Sequence, residues 1–146
     1  MFTHILAPYD GSKNADRALE KAAEMAKLTG ARVTVLTVFR HHSMLEASLS
    51  MVRVSDPGRI DDAMREHAAG IVTHAKNMLI EAGVEDVRGF VRSGRPARAI
   101  NEFAARHGVD LIIVGSRGLG ASGDGYLLGS VSHKVTGLSK CPVLVV

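Results

Sequence analysis

Val114-Gly115-Ser116-Arg117-Gly118-Leu119-Gly120-Ala121-Ser122-Gly123-Asp124-Gly125-Tyr126-Leu127-Leu128-Gly129-Ser130-Val131 is the stretch that decides the fold. It begins at the end of an apolar run, Leu111 to Val114, that reads as a buried strand, and it ends where a new helical pattern starts. Six of the chain's 15 glycines fall between 115 and 129. Residues without a β-carbon let the main chain take φ > 0 and let a ligand approach it closely. Between a strand and a helix, such a loop presents free N–H groups to an anion, and the helix N-terminus behind it adds partial positive charge. Chemically it is either a phosphate cradle or a surface loop merely rich in glycine. Gly118-x-Gly120-x-x-Gly123 satisfies G-x-G-x-x-G, but no helical pattern opens at Gly123, and no Asp or Glu follows Asp124 to meet a ribose. G-x-x-x-x-G-K-[ST] is absent, which excludes a P-loop.

Outward from this stretch, strand and helix signals alternate. Ile5-Leu6-Ala7 is a short apolar strand ending at Pro8-Tyr9-Asp10-Gly11-Ser12. Ala15, Ala18, Leu19, Ala22, Ala23 and Ala26 recur at helical spacing, with Ser12 as N-cap and Gly30 as stop. Val33 to Phe39 is β-branched and apolar, a strand buried on both faces. Arg40 to Ser55 has no clear period and reads as an excursion. Asp56-Pro57 resembles N-cap and N1, and a stripe from Ile60 to Ala82 runs until Gly83. Val84 to Val91, interrupted by Glu85, Asp86 and Arg88, suits an edge strand. Pro96 opens a helix with Ala97, Ile100, Phe103 and Ala104 inward, and Gly108 closes it. Val131, Val135 and Leu138 mark a last short helix after Ser130, and Pro142 to Val146 is a fifth strand.

This alternation, without a tight hairpin, predicts an α/β fold: a parallel sheet covered by helices through right-handed crossovers. In an open sheet of this kind ligands bind beyond the carboxyl ends of strands where the winding reverses. With strand order 3-2-1-4-5 the reversal lies between the first and fourth strands. Pro8 to Ser12 then faces the glycine loop across one crevice.

Composition narrows the classes. At 146 residues one domain, 1–146, is expected, able to bury about two-thirds of its unfolded surface. Hydrophobic residues at 46% and charged residues at 23% are ordinary for a soluble globular protein. The formal charge of +3 is spread with mixed signs, and without Trp there is no stacking platform, so nucleic acid is not an expected partner. One cysteine, Cys141, excludes an internal disulfide. The start lacks a cationic leader and no run approaches 18 apolar residues, so a cytoplasmic protein with no membrane partner is expected.

Four pieces carry a family likeness: Ile5-Leu6-Ala7-Pro8-Tyr9-Asp10-Gly11-Ser12, Asp110-Leu111-Ile112-Ile113-Val114-Gly115-Ser116-Arg117-Gly118, Gly129-Ser130-Val131-Ser132 and Cys141 to Val146. In order and spacing the chain resembles the universal stress protein family along its whole length. The resemblance implies a Rossmann-like three-layer sandwich, five parallel strands with helices on both faces, and dimerisation. In one branch it implies ATP binding through a G-x2-G-x9-G-[ST] signature. Carried over, Pro8 and Asp10 lie beside adenine and ribose, and Val38 contacts adenine. Gly115, Gly118, Gly129, Ser130 and Val131, with Val114 and Arg117 beside them, hold ribose and phosphates. The chain departs at one point: ten residues, Leu119 to Leu128, separate Gly118 from Gly129, where the signature has nine. The extra residue is either absorbed as a bulge at Gly123-Asp124-Gly125 or shifts the loop. Asp124 also brings negative charge near a triphosphate.

Single residues have two readings. Asp10 reaches a ribose hydroxyl or a Mg²⁺ ion held by phosphates, or it satisfies backbone donors in its own turn. Arg117 pairs with a phosphate or is an exposed loop arginine. Ser130 is a phosphate ligand, an N-cap, or both. His133 reads as a surface histidine and Cys141 as structural. His67 and His74 are not at metal-pair spacing. No G-x-S-x-G or H-E-x-x-H occurs, and nothing marks a base for water, so a nucleotide holder with at most slow ATP hydrolysis is expected. A dimeric ATP-binding stress regulator is therefore the leading expectation, paired through the apolar final strand at the sheet edge. A nucleotide-free interaction module of the same fold is the alternative. An enzyme acting at an α-phosphate is disfavoured, because the first turn reads Asp10-Gly11-Ser12 rather than serine-glycine-glycine.

Overall fold

The computed structural model describes residues 1–41, 57–118 and 128–146. Five strands, β1 (His4–Pro8), β2 (Arg32–Phe39), β3 (Val87–Ser93), β4 (Leu111–Val114) and β5 (Val143–Val145), form one sheet in the order β3-β2-β1-β4-β5. All four pairings are parallel, with Ile5 opposite Val33 on one side and Leu111 on the other. The expected order 3-2-1-4-5 is the observed one, and the winding reverses between β1 and β4. The described helices are α1 (Lys13–Thr29), α2 (Pro57–Glu81), α3 (Pro96–Arg106) and α4 (Ser130–Leu138).

Side-chain alternation along the central strands builds two cores. Ile5, Ala7, Val33, Val35, Leu111 and Ile113 point to the side covered by the alanines of α1 and by Val72, Ala75 and Leu79 of α2. Leu6, Leu36, Ile112 and Val114 point to the other side, against Ala97, Ile100, Phe103 and Ala104 of α3 and Val135 of α4. Burial of both faces explains why β2 and β4 read as continuous apolar runs.

Local signals place the boundaries. The Ser12 hydroxyl accepts from Ala15 N–H to start α1, and Gly30 ends it at φ 73° with its N–H bonded to Ala26 O. Pro96 sits in the first turn of α3 as expected. Two expectations need correction. β3 starts at Val87, not Val84: Gly83 takes φ 94° and Val84 N–H bonds back to Leu79 O, so Val84 closes the end of α2 and packs inward. The last helix includes Val131, Val135 and Leu138 as expected, and it turns Val135 and Ser132 fully inward while Leu138 stays exposed. Gly129, rather than Ser130, occupies the N-cap of α4. Asp56 and most of the Arg40 to Ser55 excursion lie outside the described residues.

Candidate functional site

The crevice is built from two junctions at the carboxyl ends of β1 and β4. Beyond β1, Tyr9 N–H still donates to Leu36 O at 2.9 Å, and the buried Thr37 hydroxyl donates to Tyr9 O at 2.8 Å. β2 thus holds the chain one residue past the strand. The Tyr9 phenol is buried and donates to the Asp16 carboxylate at 2.5 Å; burial first, then that carboxylate, pushes its pKa well above the ordinary value. Gly11, at φ 84°, turns the chain into α1. Asp10 Oδ1 accepts the Ser12 N–H at 2.9 Å, the turn role open to any aspartate there. Its other oxygen faces the glycine junction: a β-carbon on Gly118 would lie 2.9 Å from Asp10 Oδ2.

The second junction is main chain packed on main chain. A β-carbon on Gly115 would stand 2.9 Å from the carbonyl carbon and oxygen of Asn14, so the first turn of α1 rests directly on Gly115. A β-carbon on Gly129 would stand 3.1 Å from Arg117 Cα and 3.3 Å from Ser116 O. Gly129 N–H donates to Ser116 O at 2.7 Å, and Ser116 N–H donates to Val146 O at 2.8 Å. The first intrahelical bond of α4 is His133 N–H to Gly129 O at 2.9 Å. The amides of Ser130, Val131 and Ser132 precede it and have no partner within the helix. With a glycine cap that offers no side-chain acceptor, these amides and the helix dipole form a site of positive potential.

A cleft of about 440 Å³ opens beside this crevice, on the α1/α2 side. Asp10, Thr37, Val38 and Phe39 form its inner wall, and Ile60, Met64, His67 and Ile71 of α2 face them. Its size and its apolar walls with few polar groups suit a small organic ring.

Of the residues singled out from sequence, Asp10 meets Gly118, and Gly129 meets the backbone of Arg117 and Gly118. Asp10 and Val38 share the cleft. Pro8 ends β1, half-buried and in register with Leu36. Val114 is buried in the second core, and Val131 packs against it. Ser130 is exposed in the first turn of α4, and His133 is at the surface. Asp124 and the Gly123-Asp124-Gly125 bulge lie outside the described residues. No group of three or more His, Cys, Asp or Glu that could hold a metal occurs among the described residues.

Sequence reasoning missed Ser132 and Thr37, both buried. Thr37 carried a signal, one of two hydroxyls, with Thr34, in a largely apolar strand. Ser132 appeared only as the last residue of the Gly129-to-Ser132 piece, with nothing to mark its burial. The α2 wall of the cleft was legible only as a helical stripe.

A doubly wound parallel sheet, with glycine junctions and free helix amides at its winding reversal, defines an α/β protein with an anion-receptive crevice. The sequence profile of the universal stress protein family matches residues 1–146, and the chain belongs to that family. It is 37% identical to the universal stress protein YxiE of Bacillus subtilis strain 168 over 149 aligned positions, spanning 100% of this chain and 99% of that one. Among solved structures it is similar to the universal stress protein UspA from Lactobacillus plantarum, with TM-score 0.80, 25% identity, and coverage of 99% and 97% of the two chains. It is also similar to a universal stress protein solved in complex with cAMP, with TM-score 0.75, 26% identity, and coverage of 99% and 97%.

Proposed function

We propose that this chain, acting as one domain, binds an adenine nucleotide, ATP foremost, and works in the cytoplasm as a dimeric stress-response regulator. The nucleotide lies between the β1 turn and the Gly115–Ser130 junction. The base sits against Val38 and Pro8 at the cleft, and Asp10 Oδ2 reaches a ribose hydroxyl. The phosphates take the amides of Ser130 and Val131, the Ser130 hydroxyl, and the backbone near Gly115 and Gly118, with Arg117 alongside. A Mg²⁺ ion, where present, needs only phosphate oxygens, water and one carboxylate, the alternative role open to Asp10. The observation that carries this reading is the close approach of Gly118 to Asp10 and of Gly129 to the 116–118 backbone: side chains there would fill the crevice. The related protein solved with cAMP supports an adenine nucleotide as the ligand class.

Regulation requires that the nucleotide distinguish two states of the protein, which partners then read. Dimerisation uses the outer edge of β5, where Leu144 is 38% exposed and Val143 and Val145 are half-buried. Among the described residues no helix is long and apolar enough to cross a membrane.

Calorimetric titration with ATP, ADP, AMP and cAMP, with and without Mg²⁺, tests the binding. Saturable heat is expected for the wild-type chain and none for Gly118→Val, whose side chain displaces Asp10, once circular dichroism has established that the variant is folded. Absence of heat with every nucleotide would instead favour a nucleotide-free module. Light scattering at micromolar concentration is expected to give twice the chain mass.

A further inference from the structure

We propose that Ser132 is a positioning residue: it clasps the start of α4 to the exit of β4 and so makes the phosphate-facing amides independent of the chain length between Gly118 and Gly129. The inference rests on the nucleotide reading above. Ser132 lies in the first turn of α4 and is 2% exposed. Its hydroxyl oxygen is 2.9 Å from Ser116 O and 3.1 Å from Gly129 O. A hydroxyl has one proton, so Ser132 shares it between two carbonyls, one on each side of the glycine loop. This is the reverse of an N-cap serine, which accepts from an N–H.

The same Ser116 carbonyl also receives Gly129 N–H at 2.7 Å. Ser116 is itself fixed from behind: its N–H donates to Val146 O at 2.8 Å, and Val146 N–H donates to Val114 O at 2.9 Å. Entry and exit of the loop are therefore tied by a side-chain bond, a main-chain bond and the close approach of Gly129 to Arg117 Cα. None of these contacts runs through residues 119–127. The tenth residue between Gly118 and Gly129 then leaves the junction in place. The Ser130 and Val131 amides, one and two residues before Ser132, keep their aim.

Titrations with AMP and with adenosine test this on Ser132→Ala, Ser132→Thr and a chain lacking Asp124. Ser132→Ala is expected to weaken AMP about five- to tenfold, the loss that goes with one hydrogen bond. Adenosine, which has no phosphate, is expected to bind all four chains alike, and Ser132→Thr to restore AMP. The chain lacking Asp124 is expected to bind AMP at least as well as wild type does, since the deletion also removes a negative charge from near the phosphates. Equal weakening of AMP and adenosine by Ser132→Ala, no weakening of either, or a loss of AMP affinity on removing Asp124 would overturn the proposal. Hydrogen exchange at the Gly129 amide reads the clasp without ligand: it is expected to speed up about five- to tenfold in Ser132→Ala and to be unchanged on removing Asp124. If the wild-type chain binds no nucleotide, the functional reading fails, and an unaltered Gly129 exchange rate in Ser132→Ala would sink the clasp separately.

Discussion

At the amino end of the sheet, polar side chains close on one another; at the carboxyl end, main chain closes on main chain and leaves donors facing outward. Asp110 illustrates the first. Its carboxylate accepts the N–H groups of Thr3 at 2.8 Å and His4 at 3.0 Å and the Thr3 hydroxyl at 3.1 Å. Burial alone would raise its pKa, but these donors outweigh burial and hold it below the usual carboxylate range. Beside it, His4 spans Thr34 Oγ1 at 2.8 Å and His107 O at 3.1 Å. The carbonyl contact assigns the proton to Nδ1, so Nε2 accepts from Thr34. Arg32 and Arg88 both hold Asp86. At the other end Gly115 and Gly129 bring backbones within a side chain's width, Gly118 lies against the Asp10 carboxylate, and the first amides of α4 find no partner in the helix. Polar groups satisfied on one another hold a fold together; amides without a partner in their helix stay open to an acceptor.

Substitutions at the two ends should therefore separate stability from binding. The largest effect is expected at Gly115, where the clash is with the backbone of Asn14 and cannot be relieved by a rotamer. Gly115→Ala should cost about 1–3 kcal/mol in chemical denaturation and weaken nucleotide binding as well, because α1 and β4 are pushed apart. A somewhat smaller loss, about 1–2 kcal/mol, is expected for Asp110→Ala, with nucleotide affinity unchanged in the same calorimetric assay. A drop in affinity there would erase the distinction between the ends.

The pH dependence should sharpen it further. Burial lowers the His4 pKa below its ordinary 6.5, only partly offset by the bond to His107 O. The folded chain then binds fewer protons than the unfolded one, so this contribution is complete above pH 6.5 and fades as pH falls below it. Denaturation midpoints should decline from pH 7 to 5, and His4→Gln should flatten that slope; an unchanged slope would remove His4 from the account. Asp86, held down first by Arg32, and Asp110 contribute a separate loss as pH drops below 3.8. The smallest effect on stability is expected from Ser130→Ala: Ser130 is exposed and does not cap α4, so the midpoint should hold while phosphate-bearing ligands bind more weakly.

The carboxyl end was the more legible of the two in sequence, and the reason is physical. Glycines at 115, 118 and 129 mark themselves because a β-carbon there would crowd a neighbour, most severely at Gly115, and Pro96, Gly30 and Ser12 mark helix ends by their own chemistry. The alanine period of α1 predicted a closely packed helix, and all six of its inward residues are buried. The amino end hid its partners. His4 and Asp110 are 106 residues apart, and nothing local in either names the other. Val84 read as the start of a strand because an apolar residue after Gly83 fits either a strand or a helix-closing contact; the bond to Leu79 O decides for the latter. Leu138 kept the helical period yet stays exposed, since period gives a face but not what covers it.

The central claim, that the amides at the winding reversal receive a phosphate, is tested most directly by following backbone amide resonances during an ATP titration. Saturating shifts at Gly118, Gly129, Ser130 and Val131, with His4, Asp86 and Asp110 unmoved, are the predicted result. Shifts confined to other parts of the chain, or none at saturating ATP, would contradict it.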